Sequence, residues 1–451
     1  MDLPELSQRL REHGIEFIRF EQSDTHGISR SKTVPIKHFE YFAQKGLNFL
    51  LGQLGFDAQA QVAPGTGYLE ELGFPDSLIR PDLDTLQILP WASKTARILC
   101  EPYYLDGRPA LAAPRLVVKQ LLAELEGMGY RLLSGFEYEF YVVDALTRQP
   151  PFPGIQIFAT LRNNFNEALL YDILRHMMDM GVDIITANAE YGPGQLEINF
   201  APAWGVTAAD HAFTFKNGVK EIAQRHQMLA SFMTKPQIDQ SANGCHFHQS
   251  LWQGDRNVFL DASSDDGLSD ICRHFLAGQL VHAPAICALA APTVNCAKRF
   301  KLYSFAPTNA TWGIENRTTG IRVKATRNKE STHIENRMGC GASNPYLLMA
   351  ACVAAGMDGL RNKLEPPAPV AGIAYGMEGV LDLPTRLEDA VDALEQDAVM
   401  QGALGSEFVK LFVAVKRHEI NKAKAALSDY GTPEFSKRVN DWERNEYFEF
   451  L

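Results

Sequence analysis

A chain of 451 residues, 46% hydrophobic and 22% charged, holds enough apolar mass for more than one core. Its formal charge is −11 and no basic block stands out, which excludes a nucleic-acid binder that works by neutralising phosphates. The seven scattered cysteines lack the paired short spacings of a zinc site and read as reduced thiols, so a cytoplasmic setting is expected.

The start, Met1-Asp2-Leu3-Pro4-Glu5, has neither the basic nor the apolar region of a signal peptide. Residues 3–12 carry apolar positions at helical spacing, and 16–20 and 86–89 read as short strands. Between them, 52–67 is rich in Gly, Gln and Ala without periodicity. It is either a functional loop or a mobile surface loop. A helix over 115–127 follows Pro114 and ends at Gly127 and Gly129.

Further helices are predicted at about 163–180, 206–229, 268–285, 343–364, 387–400 and 406–427, with strands at 131–143, 195–200, 245–252 and 320–324. The most apolar stretch, 346–356, is too short to span a bilayer and reads as a buried helix, so no membrane partner is expected. Proline-rich breaks at 149–154 and 365–372 read as loops within one body, and no internal repeat occurs. The fold class is α+β, with a small N-terminal domain over 1–105 and a large domain over 106–451.

Glu137 and Glu139, two apart in the apolar run Phe136–Phe140, point to one face of a strand. Glu190 and Glu197 flank a Gly-Pro-Gly turn, with Glu197 inside a second apolar strand. His246 and His248 share one face of a third, and Glu335 stands two before Arg337. Like charges on a buried face need a cation, and hard divalent ions take carboxylate oxygens. Arg299, Arg317, Arg322 and Arg337 lie in or beside apolar or Gly/Thr-rich stretches, and guanidinium forks suit carboxylates and phosphates. Carboxylates for metal beside arginines for anions is the layout expected for phosphoryl transfer from a nucleotide. Neither a P-loop nor a dinucleotide-binding glycine motif is present.

In order along the chain, Phe136-Glu-Tyr-Glu-Phe140, Gly194-Gln-Leu-Glu197, Asn243-Gly-Cys-His-Phe-His248, Asn316-Arg-Thr-Thr-Gly-Ile-Arg322, Ile334-Glu-Asn-Arg337 and Ser343-Asn-Pro-Tyr-Leu347 resemble the signature blocks of the glutamine synthetase family. The resemblance implies a β-grasp-like N-terminal domain and a catalytic domain with an open antiparallel barrel flanked by helices. It also implies a homohexamer or homododecamer with intersubunit active sites. By position, Glu139, Glu190 and Glu197 would hold one Mg2+ (or Mn2+), and Glu137, His246 and Glu335 another, with about two or three ions in each site. Arg299 and Arg337 would hold glutamate, with Asn243 and Gly244 beside it. Arg317 and Arg322 would face the phosphates of ATP, and His248 and Ser250 would lie near the nucleotide. ATP would phosphorylate the γ-carboxylate of glutamate, and an amine would then displace phosphate.

The departures from the family pattern point to the amine. The block Arg299-Phe-Lys-Leu-Tyr-Ser-Phe305-Ala-Pro307 carries Phe305 where the family has an ammonia-handling glutamate. A family tyrosine falls within 156–159, which is apolar here. Asp57 stands for the ammonium-binding aspartate, but Ala-Gln-Ala follows it, and His333 and Glu330 replace basic residues on the nucleotide side. A phenyl group loses the attraction for a small cation and gains apolar surface, so a bulky or apolar primary amine, aromatic ones included, is expected instead of ammonia, with Glu190 as base. The alternatives are an ordinary glutamine synthetase and a catalytically silent homologue, since 309–313 and 387–390 resemble lengsin, a structural member of the family.

Overall fold

The computed structural model describes residues 3–451 apart from 153, 155, 156, 164 and 165. An N-terminal sheet contains β1 (Phe17–Ser23), β2 (Ser29–Pro35), β3 (Leu47–Leu50), β4 (Asp76–Pro81), β5 (Gln87–Ile88) and β6 (Thr95–Tyr103), in the order β2-β1-β6-β4-β3 with β5 beside β6. Central β6 is buried at eight consecutive positions, 95–102, so it shows no alternation of polar and apolar residues. Helices α1 (Leu3–Glu12) and α2 (Phe39–Lys45) cover this sheet, and Leu10, Ile18, Phe20, Phe39, Ile79 and Ile98 make a small core of their own.

The second sheet holds β7 (Arg131–Asp144), β8 (Ile184–Ala189), β9 (Gln195–Phe200), β10 (Ala203–Trp204), β11 (Met228–Ser231), β12 (Cys245–Gln253), β13 (Arg256–Asn257), β14 (Trp312–Ile314), β15 (Ile321–Lys324) and β16 (His333–Asn336). Its path is β14-β15-β16-β12-β7-β9-β8, curled into a half-barrel, and the long strand β7 also pairs with β10 and β11. Around it lie α3 (Pro114–Gly127), α4 (Thr160–Asn163), α5 (Glu167–Asp179), α6 (Val206–Arg225), α7 (Asp270–Val281), α8 (Ala283–Ala290) and α9 (Pro345–Asn362). Helices α10 (Leu387–Gln396), α11 (Ala398–Leu404), α12 (Ser406–Ala426) and α13 (Asp441–Tyr447) complete the chain. Among the described residues no single helix is long and apolar enough to cross a membrane.

The expected α+β architecture is present, with several local corrections. The helix expected to 229 stops at Arg225, because Gln227 takes a left-handed φ of 59° and turns the chain into β11. The helix expected over 387–400 is two, broken at Asp397, whose carboxylate accepts from Met400 N at 3.0 Å and so caps α11. Helix α5 begins at Glu167 instead of 163. Within 52–67 the first half is packed against the fold, whereas residues 60, 61, 64 and 65 are exposed. Gly52, Gln53, Leu54, Gly55, Asp57 and Ala58 are buried, and a Cβ on Gly52 would meet Leu69 Cδ2 at 2.1 Å.

Candidate active site

Alternation along β7 sorts its side chains into two sets. Phe136, Tyr138 and Phe140 face the helices, where Tyr138 and Phe140 pack on Phe232 at 5.5 and 5.2 Å between ring centroids. This aromatic burial fixes the register, and a slip of one residue would bury both glutamates. Glu137 and Glu139 therefore share the opposite face. Across the sheet Glu137 pairs with His246 on one side and Asn199 on the other, Glu139 with Glu197, and Glu335 with His248 and Arg322. Residues as far apart in sequence as Glu137 and Glu335 thus form one polar surface.

On the β12–β16 side the carboxylates have cationic partners. His246 Nδ1 lies 2.7 Å from Glu137 Oε1 and 3.4 Å from Glu335 Oε1, while His248 Nε2 is 3.6 Å from Glu137 Oε2. Arg322 donates to Glu335 Oε2 at 3.0 Å, and Arg337 donates to Glu335 Oε1. Burial works to raise Glu335, but Arg337 and the two imidazoles outweigh it and bring its pKa down to about 2. Burial likewise opposes ionisation of Glu137, yet hydrogen bonds from His246 and His248 hold it well below the usual carboxylate range. Ligand atoms of Glu137, His248 and Glu335 lie within 4.8 Å of one another, a spacing that a single ion can bridge.

On the β9 side the balance is reversed. Burial, and then repulsion by Glu139, lifts Glu190 to about 7. Burial with the charges of Glu137, Glu139 and Glu190 lifts Glu197 to about 9. Four carboxylates crowd here with few cations of the chain's own among them. An oxygen-rich, cation-poor donor set of this kind fits a hard divalent ion.

Two openings meet at this surface, and Glu137 and Asn199 line both. One is a cavity of about 330 Å3 bordered by Ser134, Gly135, Phe200, His248, Ser250 and His333. The other is a cleft of about 470 Å3 that gathers Glu139, Glu190, Glu197, His246, Arg299, Phe305, Arg317, Arg322 and Arg337. Arg299 is buried, donating to the Arg337 carbonyl at 3.1 Å, whereas Arg317 is exposed at the rim. Asn243 and Gly244 lie behind the cleft. Gly244 N donates to Glu139 Oε2 at 2.8 Å, and a Cβ there would stand 3.0 Å from Arg299 and 3.1 Å from His246. A larger cavity of about 860 Å3, bordered by residues of β7 and α13, lies apart, and its arginines are already paired, Arg148 with Glu449, Arg438 with Asp429 and Arg444 with Asp441.

Asp57, which an intersubunit site would draw from a neighbour's N-terminal domain, lies away from this surface in its own chain. It is fully buried, held by Lys422 Nζ at 2.5 Å and by the backbone of Gln59 and Gln61. Of the region expected to replace a family tyrosine, Gln156 lies outside the described residues, while Ile157 and Phe158 line the cleft.

Sequence reasoning passed over Gln195, Asn199 and Tyr191. Gln195 Nε2 bridges Asn243 Oδ1 at 2.9 Å and Glu139 Oε2 at 3.5 Å, and Asn199 Nδ2 holds Glu197 Oε1 at 3.0 Å. Both alternate with Glu197 on one face of β9, so a period-two reading of that strand points to them.

Residues 111–435 match the model of the glutamine synthetase catalytic domain. The chain belongs to the glutamine synthetase family. This family member is 32% identical to Homo sapiens lengsin over 99% of the chain and 87% of lengsin. It is 31% identical to a Pseudomonas sp glutamate–isopropylamine ligase over 98% and 97%. The solved GmaS/ADP complex superposes with a TM-score of 0.83 at 30% identity, covering 98% of each chain. Overall identity is thus nearly the same for lengsin and for an amine ligase, 32% and 31%, and does not by itself choose between them.

Proposed function

We propose that the protein joins the γ-carboxylate of glutamate to a bulky or apolar primary amine at the expense of ATP, through γ-glutamyl phosphate. The observation that carries this reading is Phe305, whose ring borders the same cleft as Glu190, Arg299 and Arg337. A phenyl group there offers an amine apolar contact and no counter-charge for ammonium. The glutamate–isopropylamine ligase named above acts on an amine of this kind, which supports the choice.

Arg299 and Arg337 bind the carboxylates of glutamate from the buried wall of the cleft, and Arg317 and Arg322 face the phosphates. ATP enters the cavity beside His248 and Ser250, and the relative solved with ADP supports nucleotide binding by this fold. Divalent ions held by Glu139, Glu190 and Glu197, and by Glu137, Glu335 and His246 or His248, would neutralise phosphate charge. An oxygen of the γ-carboxylate attacks the terminal phosphorus and ADP leaves. The amine nitrogen then attacks the γ-carbonyl carbon, the bond to the phosphate oxygen breaks with its electron pair, and Glu190 takes the nitrogen's proton. Residues 1–105 are proposed as a separate domain, and the assembly as a homohexamer or homododecamer in which a neighbour completes the site. Light scattering of the purified protein measures that size.

Phosphate release with glutamate and a panel of amines tests the reading. Organic amines should outrun ammonia at saturation, and the reverse order returns the protein to ordinary glutamine synthetase. The similarity to lengsin favours a silent homologue as the second reading. The intact donor set speaks against it, and magnesium-dependent ATP turnover that disappears in Glu137→Ala and Glu335→Ala decides between them.

A further inference from the structure

The ring of Phe305 does not stand alone. Tyr191 stacks on it with 5.9 Å between centroids and 18° between planes, and both rings remain partly open to the cleft, 38% and 50% exposed. Each ring is held from behind by its backbone. Tyr191 opens the turn Tyr191-Gly192-Pro193-Gly194, where a Cβ on Gly192 would fall 1.9 Å from the Tyr141 hydroxyl and Gly194 takes a φ of 77°. The turn is therefore pressed against β7 and its first side chain is directed outward. Glu190, one residue earlier, accepts from Tyr191 N at 3.3 Å, so the carboxylate and the ring leave the same short stretch of backbone.

Phe305 is held from the other wall. Its φ is 57°, a left-handed conformation that bulky residues adopt rarely and that gathers at functional sites. Its carbonyl accepts from Arg337 Nη2 at 3.1 Å, and the preceding Ser304 hydroxyl donates to the carbonyls of Lys301 and Arg299 at 2.6 and 3.2 Å. The two arginines assigned to glutamate thus also set the position of the phenyl ring.

We infer that Tyr191 and Phe305 form a stacking wall that selects a primary amine carrying a flat aromatic ring next to its amino-bearing carbon or on the nitrogen itself. Two near-parallel rings with exposed surface favour a third ring in offset or edge-on contact over a saturated group of equal size, because ring quadrupoles add to the area buried. The inference rests on the amine-ligase reading and narrows it to arylamines and arylmethylamines. Tyr191 enters as a residue that touches substrate.

Benzylamine and cyclohexylmethylamine are similar in bulk but not in basicity, so with kcat/KM referred to the unprotonated amine they separate stacking from simple burial. The wild-type protein with saturating glutamate and Mg-ATP should show about three- to tenfold higher kcat/KM for benzylamine, expressed through KM. Tyr191→Leu, which keeps an apolar side chain, should bring the ratio close to one, and Tyr191→Phe should restore it. A wild-type ratio near one, or a ratio that persists in Tyr191→Leu, overturns the stacking wall while leaving an amine ligase in place. If ammonia outruns every organic amine, the amine-ligase reading falls and the wall with it. A Tyr191→Leu protein that failed to fold would be recognised by loss of its thermal transition. The ratio in Phe305→Leu then serves as the second reading, expected to fall in the same way, and an unchanged ratio there overturns the wall.

Discussion

Glu335 and Glu197 lie on the same sheet surface, yet the physics of the two positions is opposite. Glu335 is 1% exposed and answers both Arg322 and Arg337, so Glu335→Gln takes the carboxylate from buried Arg337 and leaves Arg322 with Glu315 alone. Removing one partner of a buried pair costs about 3–5 kcal/mol, and this variant should melt at clearly lower temperature with or without magnesium. Glu197 has no cationic partner of that kind, and its pKa of about 9 means that the folded chain without a metal holds it protonated at pH 7. Because its ordinary value is about 4.3, folding at pH 7 then carries an unfavourable proton uptake. Glu197→Gln removes that cost. In chelator its melting temperature should equal or exceed that of the wild type, while the rise on adding Mg2+ shrinks. A large loss of stability in chelator would show that Glu197 has a structural partner instead.

At the scale of elements, legibility followed periodicity. The segments carrying Glu137, Glu197 and His246 were readable because one face is apolar and the other polar, which is also why their register places the donors together. Strand β6 was hidden by burial on both faces. Strand β2, with the sequence Ser-Arg-Ser-Lys-Thr-Val-Pro, was hidden for the opposite reason: it is half solvent-facing, and its pairing with β1 holds it extended. Asp57 could be aligned by its neighbours, but its burial against Lys422 depends on α12, 365 residues away, which no local pattern encodes. The crossing of α7 and α9 belongs to this class. Both helices were legible, their closeness was not. A Cβ on Gly278 would sit 2.0 Å from the Ala355 carbonyl oxygen, and one on Gly359 would sit 2.0 Å from that of His274. Alanine at either glycine must push two backbones apart, and overpacking of this kind costs about 1–3 kcal/mol. Gly359→Ala should lower the denaturant midpoint by a corresponding amount, whereas Gly402→Ala, with open space at its Cβ, should not.

For the molecule as a whole, buried charges tie the N-terminal sheet to the helices around the site. Arg115 of α3 donates to Glu101 of β6 at 2.5 Å and to both oxygens of Asp210 of α6 at 2.9 Å. The tip between β1 and β2 reaches further. Asn344, which caps α9, donates to the Asp24 carbonyl at 2.8 Å, and His26 Nε2 lies 3.1 Å from Glu419 Oε1 on α12. Lys416 Nζ completes this group, 3.0 Å from His26 Nε2 and 2.6 Å from Glu419 Oε2, all of it buried. Burial works to raise Glu419, but Lys416 and His26 outweigh it and lower its pKa to about 2. The folded value lies below the unfolded one of about 4.3, so the stabilisation is complete above that value and disappears as pH falls toward 2. The difference corresponds to about 3 kcal/mol at neutral pH, at 1.36 kcal/mol per pKa unit. Glu419→Gln should therefore be much less stable than the wild type at pH 7, since Lys416 stays buried without its carboxylate. The gap between the two proteins, followed by chemical denaturation, should narrow as pH falls from about 5 to 3. A gap that stays constant over that range would mean that the carboxylate of Glu419 does not link the N-terminal tip to α12 through its charge.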